Sequence, residues 1–200
     1  MFSGIVAALG KIQRIEPLTG GVRLNIEAAR LGMEDVAIGD SIAVNGVCLT
    51  VVSKTATAFD ADVSRESLNC TVGLDAQDGE VNLEKAMRLS DRIGGHLVSG
   101  HVDGVGEVVK FEPVGESMLL RIRAPKALSR YIARKGSVAI QGVSLTVNAV
   151  EGDVFDINLI PHTVSVTTLR HLKPGSPVNL EVDQIARYVE RMVSAAVAVG

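Results

Sequence analysis

The sequence predicts an all-β protein of two similar domains in tandem, each a small antiparallel barrel or sandwich, followed by one helix. Three observations carry this expectation. The chain repeats itself at an offset of 96 positions, its apolar residues alternate in short runs between turn residues, and only its last segment switches to helical spacing.

The repeat comes first because it sets the domain count. Shifted by 96, Ser3-Gly4 falls on Ser99-Gly100, Gly10 on Gly106, and Glu16-Pro17 on Glu112-Pro113. The run Ser41-Ile42-Ala43-Val44-Asn45-Gly46-Val47-Cys48-Leu49-Thr50-Val51 falls on Ser137-Val138-Ala139-Ile140-Gln141-Gly142-Val143-Ser144-Leu145-Thr146-Val147, and Phe59-Asp60 on Phe155-Asp156. After a one-residue slip Val81-Asn82-Leu83-Glu84 matches Val178-Asn179-Leu180-Glu181. A solenoid unit is roughly 20–50 residues long, so this period denotes a duplicated domain with its own core. The seam is placed near Gly94-Gly95, with domains at 1–96 and 97–183.

Within each half, runs such as Val22-Arg23-Leu24-Asn25-Ile26 and Val154-Phe155-Asp156-Ile157-Asn158-Leu159 have the period of a strand with one buried face. Gly, Asp and Asn separate them. Brief helices are expected over 88–93 and 126–134, too few to change the all-β class. From Gln184, the residues Ile185, Tyr188, Val189, Met192, Ala196 and Val197 recur at threes and fours, with Arg187, Glu190, Arg191 and Ser194 on other faces. This amphipathic helix, 184–200, has no counterpart after the first domain. It packs on its own barrel or joins a bundle between subunits.

Composition narrows the functions. The chain of 200 residues is 46% hydrophobic and 22% charged, as a soluble globular protein is. A net charge of −3 with interleaved signs gives no basic stripe for a nucleic acid backbone. The start, Met1-Phe2-Ser3-Gly4-Ile5-Val6, lacks a signal-peptide pattern, and no apolar run is long enough to span a bilayer, so a cytoplasmic protein is expected. Cys48 and Cys70 are too few for a disulfide framework or a zinc site and are expected to be reduced thiols.

The chemistry-bearing segments are few. Gly94-Gly95-His96-Leu97-Val98-Ser99-Gly100-His101-Val102-Asp103-Gly104 places two of the four histidines among four glycines. Such a segment is either a ligand site with a general base or a turn-rich linker. No metal-ligand spacing accompanies it. The matched segments Asn45 to Thr50 and Gln141 to Thr146 alternate polar with apolar residues, as a strand with one ligand-facing side does. Ser67 and Thr163 also stand at matched places. The repeat differs where polar groups gather: Cys48 is replaced by Ser144, Asn45 by Gln141, Glu66 by His162, and His101 stands where the first half has Ile5. Matched backbones with mismatched polar groups suit two like molecules in different roles.

On these motifs the sequence resembles the riboflavin synthase family. The likeness runs from the Met1-to-Val6 start through Gly39-Asp40-Ser41, Asn45 to Thr50, Gly94-Gly95-His96 and Gly100-His101-Val102. It continues through Gly142 to Thr146, Ile160-Pro161 with Thr163, Thr167-Thr168-Leu169 and Val178 to Asp183. The resemblance implies two six-stranded Greek-key barrels and a C-terminal helix that gathers three chains, with active sites between neighbouring subunits. It implies the dismutation of two 6,7-dimethyl-8-ribityllumazine molecules per site into riboflavin and 5-amino-6-ribitylamino-uracil, with no metal, redox cofactor or nucleotide.

By the same carry-over, one lumazine meets Cys48, Leu49, Thr50, Gly100, His101, Val102, Ser144, Leu145, Thr146, Leu159, Ile160, Pro161, His162, Thr163 and Val164, grouped by domain. Partner-side contacts are Gly4, Ile5, Val6, Asp62, Val63, Ser64, Arg65, Glu66, Ser67 and Lys135, and Phe2 shapes the pocket. His101, Ser41, Cys48, Ser144, Thr146 and Asp183 are the candidates for proton transfer and nucleophilic assistance. Ser67, His162 and Gln141 depart from the family pattern of Thr, an acidic residue, and Asp or Asn. A rival reading is a non-catalytic lumazine or flavin carrier of the same fold, which tends to lose the polar set in one domain. A flavin reductase barrel would need a nucleotide-binding fingerprint that this sequence lacks.

Overall fold

Alternation builds the strands. In β2 (Gly21–Glu27) the side chains of Leu24 and Ile26 are wholly buried while Arg23 and Asn25 turn outward. The other strands of the first half are β1 (Ala8–Leu18), β3 (Ser41–Val44), β4 (Val47–Lys54), β5 (Ala58–Ser64) and β6 (Glu80–Lys85). They close in the order β1-β2-β5-β4-β3-β6. The second half, β7 (Gly104–Val114), β8 (Ser117–Arg123), β9 (Ser137–Ile140), β10 (Val143–Glu151), β11 (Val154–Leu159) and β12 (Pro177–Val182), closes in the corresponding order. The computed structural model describes residues 1–197.

Closure leaves no sheet edge with unpaired backbone groups. Each barrel has its own core, and the two cores match position for position. Leu24, Ile26, Phe59 and Leu83 fill the first as Leu120, Ile122, Phe155 and Leu180 fill the second. Each such fully buried side chain contributes about 1.5–3 kcal/mol. Register shifts repeat as well, at Ile12/Arg14 and Val51/Ser53 and then at Val108/Lys110 and Val147/Ala149. An extra residue at such places bends a strand, which lets a six-stranded sheet curl shut.

The barrels meet turn to turn. Asn45-Gly46 and Gln141-Gly142 are two-residue hairpin loops with positive φ throughout (48° and 81°, 50° and 78°). Asn45 and Gln141 are therefore buried turn residues at the junction, not members of a ligand-facing strand. A Cβ on Gly46 would lie 2.7 Å from the Gly142 nitrogen, so backbone rests on backbone there. Two buried asparagines stitch the contact. Asn82 Nδ2 donates to the Gln141 carbonyl (2.8 Å) and its Oδ1 accepts from Thr168 N (2.8 Å). Asn179 reciprocates, donating to the Asn45 carbonyl (3.0 Å) and accepting from Val72 N (2.8 Å).

The helices correct the expectations in part. Residues 88–93 form turns, because Asp91 accepts the Arg88 backbone N–H (2.8 Å) and the Arg88 guanidinium is drawn to Asp35 (2.6 Å). The expected helix over 126–134 is confined to α2 (Lys126–Ser129), and the chain then runs through turns into Lys135 at φ 67°. Two short helices not foreseen, α1 (Arg65–Cys70) and α3 (Pro161–Val166), follow β5 and β11. The Ser64 hydroxyl accepts the Ser67 N–H (3.0 Å) to start the first, and a first-turn proline starts the second.

α4 (Gln184–Val197) follows β12 directly. Arg187 binds Asp103 (2.8 Å) and Arg130 binds Glu190 (3.2 Å), fixing one side of the helix to the second barrel. Ile185, Tyr188, Val189, Met192 and Val193 stay exposed. The side chains of Ala196 and Val197, and residues 198–200 of the expected helix, lie outside the described residues. No helix of the described chain is long and apolar enough to cross a membrane.

Candidate functional site

The two leaders, 1–7 and 97–103, cross between the barrels. Phe2 and Val98 pair as an antiparallel bridge (Phe2 N to Val98 O 2.8 Å, Val98 N to Phe2 O 3.0 Å). Phe2 is fully buried beside Ala43, Val98, Ala139 and Cys48, so it backs the site from inside. Beyond the bridge each leader goes to the other domain. Cys48 N donates to Gly100 O (2.8 Å) and Val102 packs on the first core, whereas Ser144 N donates to Gly4 O (2.8 Å) and Val6 packs on the second.

This crossing sorts the sequence-derived residues into two groups. The first comprises Ser41 on β3, Cys48 to Thr50 on β4, Asp62 to Ser67 at the end of β5 and start of α1, and Gly100 to Val102. The second comprises Ser144 to Thr146 on β10, Lys135 before β9, Leu159 to Val164 at the end of β11 and start of α3, and Gly4 to Val6. Asp62 to Ser67 share a barrel with Cys48, and Gly4 to Val6 join Ser144, because it is the leaders that exchange.

Strand alternation then decides which side chains can meet a ligand. Leu49 (4% exposed), Val63 (2%) and Leu159 (0%) point into the cores, so only their backbone is available. Ser41 pairs with Thr50 across β3 and β4, putting both side chains on one outer face with Cys48. Ser41 also opens onto a cavity of about 690 Å³ that includes Glu84, Lys85, Arg88 and Ile5. Thr50, Asp62, Ser64, Arg65, Glu66 and His101 are exposed, as are Thr146, Lys135, Ile160, Pro161, His162 and Ile5. Leu145, Thr163 and Val164 are half-buried. Asp62 is not free: Arg23 grips both its oxygens (2.7 and 2.9 Å) and holds its carboxyl below the usual range.

Asp183 sits where β12 passes into α4, and its carboxylate accepts the Ile185 N–H (2.9 Å). Its place is at the head of the helix, with its negative charge felt at His96. His96 also lies at this face, and reasoning from sequence did not select it. Its Nδ1 lies 2.7 Å from Ser144 Oγ, and its Nε2 is buried with no partner among the described residues. Burial holds this imidazole below the ordinary histidine value, with Asp183 and Glu181 opposing the shift. The ring is therefore neutral near pH 7. With the proton on Nε2, Nδ1 accepts from the Ser144 hydroxyl; with the proton on Nδ1, the hydroxyl hydrogen is left for a ligand. Either way Ser144 is oriented. Cys48 has no such partner among the described residues.

Two buried glutamates complete the arrangement. Glu84 accepts from Ser3 N (2.7 Å), Ser3 Oγ (2.7 Å) and Gly4 N (3.0 Å); Glu181 accepts from Ser99 N (2.6 Å), Ser99 Oγ (2.7 Å) and Gly100 N (2.9 Å). Burial pushes the Glu84 carboxyl up, and the donors from Ser3, Gly4 and Ile5 pull against it. The signal for these residues lay in the repeat, which matches Ser3-Gly4 with Ser99-Gly100 and Glu84 with Glu181. No group of three or more His, Cys, Asp or Glu side chains is placed to hold a metal among the described residues.

The comparisons with known proteins agree with this duplicated architecture. The lumazine binding domain family matches twice, at residues 3–86 and 99–183. A riboflavin synthase of Photobacterium phosphoreum is 47% identical over 194 residues, covering 96% of this chain and 89% of the relative. The chain belongs to the riboflavin synthase family. The riboflavin synthase of Brucella abortus is 45% identical over 198 residues, covering 96% and 98% of the two chains. Among solved structures, LumP complexed with 6,7-dimethyl-8-(1'-D-ribityl) lumazine superposes with a TM-score of 0.80 at 29% identity, over 91% of this chain and 99% of that one. LumP complexed with riboflavin gives 0.81 at 30%, with the same coverage.

Proposed function

We propose that this protein converts two molecules of 6,7-dimethyl-8-ribityllumazine into riboflavin and 5-amino-6-ribitylamino-uracil. The four carbons of one lumazine pass to the other, and the atoms balance with no external oxidant. The observation that carries this reading is the pair of related but unequal half-sites, each the outer face of one barrel completed by the other's leader. One offers Cys48, Thr50, Ser41 and His101; the other offers Ser144, Thr146 and the neutral His96. Two like rings held on two like scaffolds with different polar groups can take donor and acceptor roles.

In this reading residues 1–96 and 97–183 each bind one lumazine through the contacts named from sequence. Placing the rings face to face supplies roughly 7–11 kcal/mol of barrier reduction, so modest acids and bases suffice. His101 removes a proton from a ring methyl, the hydroxyls of Ser41, Thr146 and Ser144 or the Cys48 thiol assist addition at the ring, and Asp183 supports the charge that develops. Both half-sites lie on outer barrel faces, and α4 presents an apolar stripe. Both features favour a homotrimer in which α4 forms the bundle and half-sites of neighbouring chains face each other, and the family supports a cytoplasmic location. The likeness to LumP supports ligand binding and keeps a carrier in view.

The deciding experiment incubates the purified protein with 6,7-dimethyl-8-ribityllumazine alone. Two lumazines consumed per riboflavin formed, with no added cofactor, is the expected result. Tight binding without turnover would favour the carrier, and no binding would overturn both.

A further inference from the structure

We propose that Glu84 and Glu181 are reciprocal positioning residues: each carboxylate, rooted in the last strand of one barrel, sets the leader that completes the ligand face of the other. This inference rests on the two-site reading above. Glu181 belongs to β12 of the second barrel, yet the backbone it holds, Ser99-Gly100, continues through His101 into Val102, which packs on the first barrel. Glu84 belongs to β6 of the first barrel, and the backbone it holds, Ser3-Gly4, continues through Ile5 into Val6, which packs on the second.

The physical chemistry makes these clasps specific. Glu84 is 7% exposed and Glu181 3%. A buried carboxylate must have its lost hydration replaced, and here the replacement is three donors of a leader in each case, not a lysine or arginine among the described residues. Hydrogen bonds to an ionised acceptor are about twice as strong as neutral ones and are short and directional. Each carboxylate therefore fixes both the position and the tilt of its leader. The clasped glycine itself then presents its carbonyl to the opposite barrel, Gly100 O to Cys48 N and Gly4 O to Ser144 N, each at 2.8 Å. The clasp is thus one bond away from Cys48 or Ser144, on the barrel that does not carry the glutamate. Nothing in the barrel architecture requires this crossing, since both barrels close through their own strands.

The test uses the full chain with riboflavin as the probe, titrated while the backbone amide resonances of Thr50 and Thr146 are followed separately. Glu181→Gln keeps the side-chain volume but turns one acceptor into a donor facing Gly100 N–H. It is expected to weaken riboflavin binding read at Thr50 by about tenfold while that at Thr146 stays within about twofold, and Glu84→Gln is expected to do the reverse. Ser99→Ala and Ser3→Ala remove one donor each, leave the carboxylate in place and give the same crossed pattern at smaller amplitude, which covers the case of a Gln variant that does not fold. A general stabilising role would weaken the glutamate's own barrel or both sites alike, and either result, or no change in any variant, overturns the proposal. Absence of riboflavin binding by the unmodified chain would instead sink the two-site reading on which the clasps depend.

Discussion

Gly46→Ala tests whether the two barrels are held by direct backbone contact, because the structure supplies its own control. Gly152 also has positive φ (62°), but a Cβ there would meet nothing within 4 Å. Gly46, at φ 81°, would put its Cβ 2.7 Å from Gly142 N and 3.0 Å from Gly142 Cα, where ordinary contact begins at 3.4 Å. Both substitutions incur the left-handed backbone strain of a residue with a Cβ, about 1–2 kcal/mol. Only Gly46→Ala adds overpacking, about 1–3 kcal/mol, since backbone on the far side cannot swing away as a side chain would. Relief requires the turns to separate, stretching the bonds from Asn179 to the Asn45 carbonyl and from Asn82 to the Gln141 carbonyl. The expected losses are therefore about 1–2 kcal/mol for Gly152→Ala and about 2–5 kcal/mol for Gly46→Ala, read as shifts in urea midpoint by circular dichroism. Gly142→Ala faces the same gap from the other side, so the double variant should lose less than the sum of the single ones. A Gly46→Ala protein no less stable than Gly152→Ala would refute the contact argument.

Further outcomes are expected. Because burial depresses the His96 pKa, the native protein takes up that proton less readily than the unfolded chain. Its stability contribution is complete above the ordinary histidine value of about 6.5 and declines as pH falls through it. His96→Gln should consequently lose less urea resistance than the unmodified protein between about pH 8 and pH 5, and an equal loss would count against it. Ser144→Ala removes the hydroxyl that His96 orients and should lower single-turnover riboflavin formation by about tenfold or more with little change in melting; an unchanged rate would remove Ser144 from the chemistry. Met192→Glu places a charge in the exposed stripe of α4 and should shift the protein to smaller species in sedimentation, whereas an unchanged assembly would dismiss the helix as the joint. Asp156 is held below the usual carboxylate range by Arg121, so the pair's contribution is present above that range and is lost as pH falls. Asp156→Asn should then show a shallower acid unfolding limb, and a limb as steep as before would show the pair to be inert.

Sequence by itself determined the duplication, the all-β class and the matched core residues of the two halves, because buried positions recur with the period of a strand and at a constant offset, while the count of six strands was only what the family resemblance implied. Leu24 and Leu120, or Phe59 and Phe155, are legible in this way without coordinates. The resemblance at Cys48 to Thr50, Gly100 to Val102 and Ser144 to Thr146 likewise marked where polar groups gather. Tertiary structure decided what those groups face. Asn45 and Gln141 read as strand polar groups, yet a hairpin turn with positive φ carries them into the barrel junction. His96 read as one of two histidines in a glycine-rich segment that was either a ligand site or a linker, and only the packing of the leader puts its Nδ1 beside Ser144 Oγ, 48 residues away. The crossing of the leaders is decided the same way. Glu84 and Ser3 are 81 residues apart, and their union depends on which barrel each strand closes with, a matter of long-range hydrogen bonding that local periodicity does not encode.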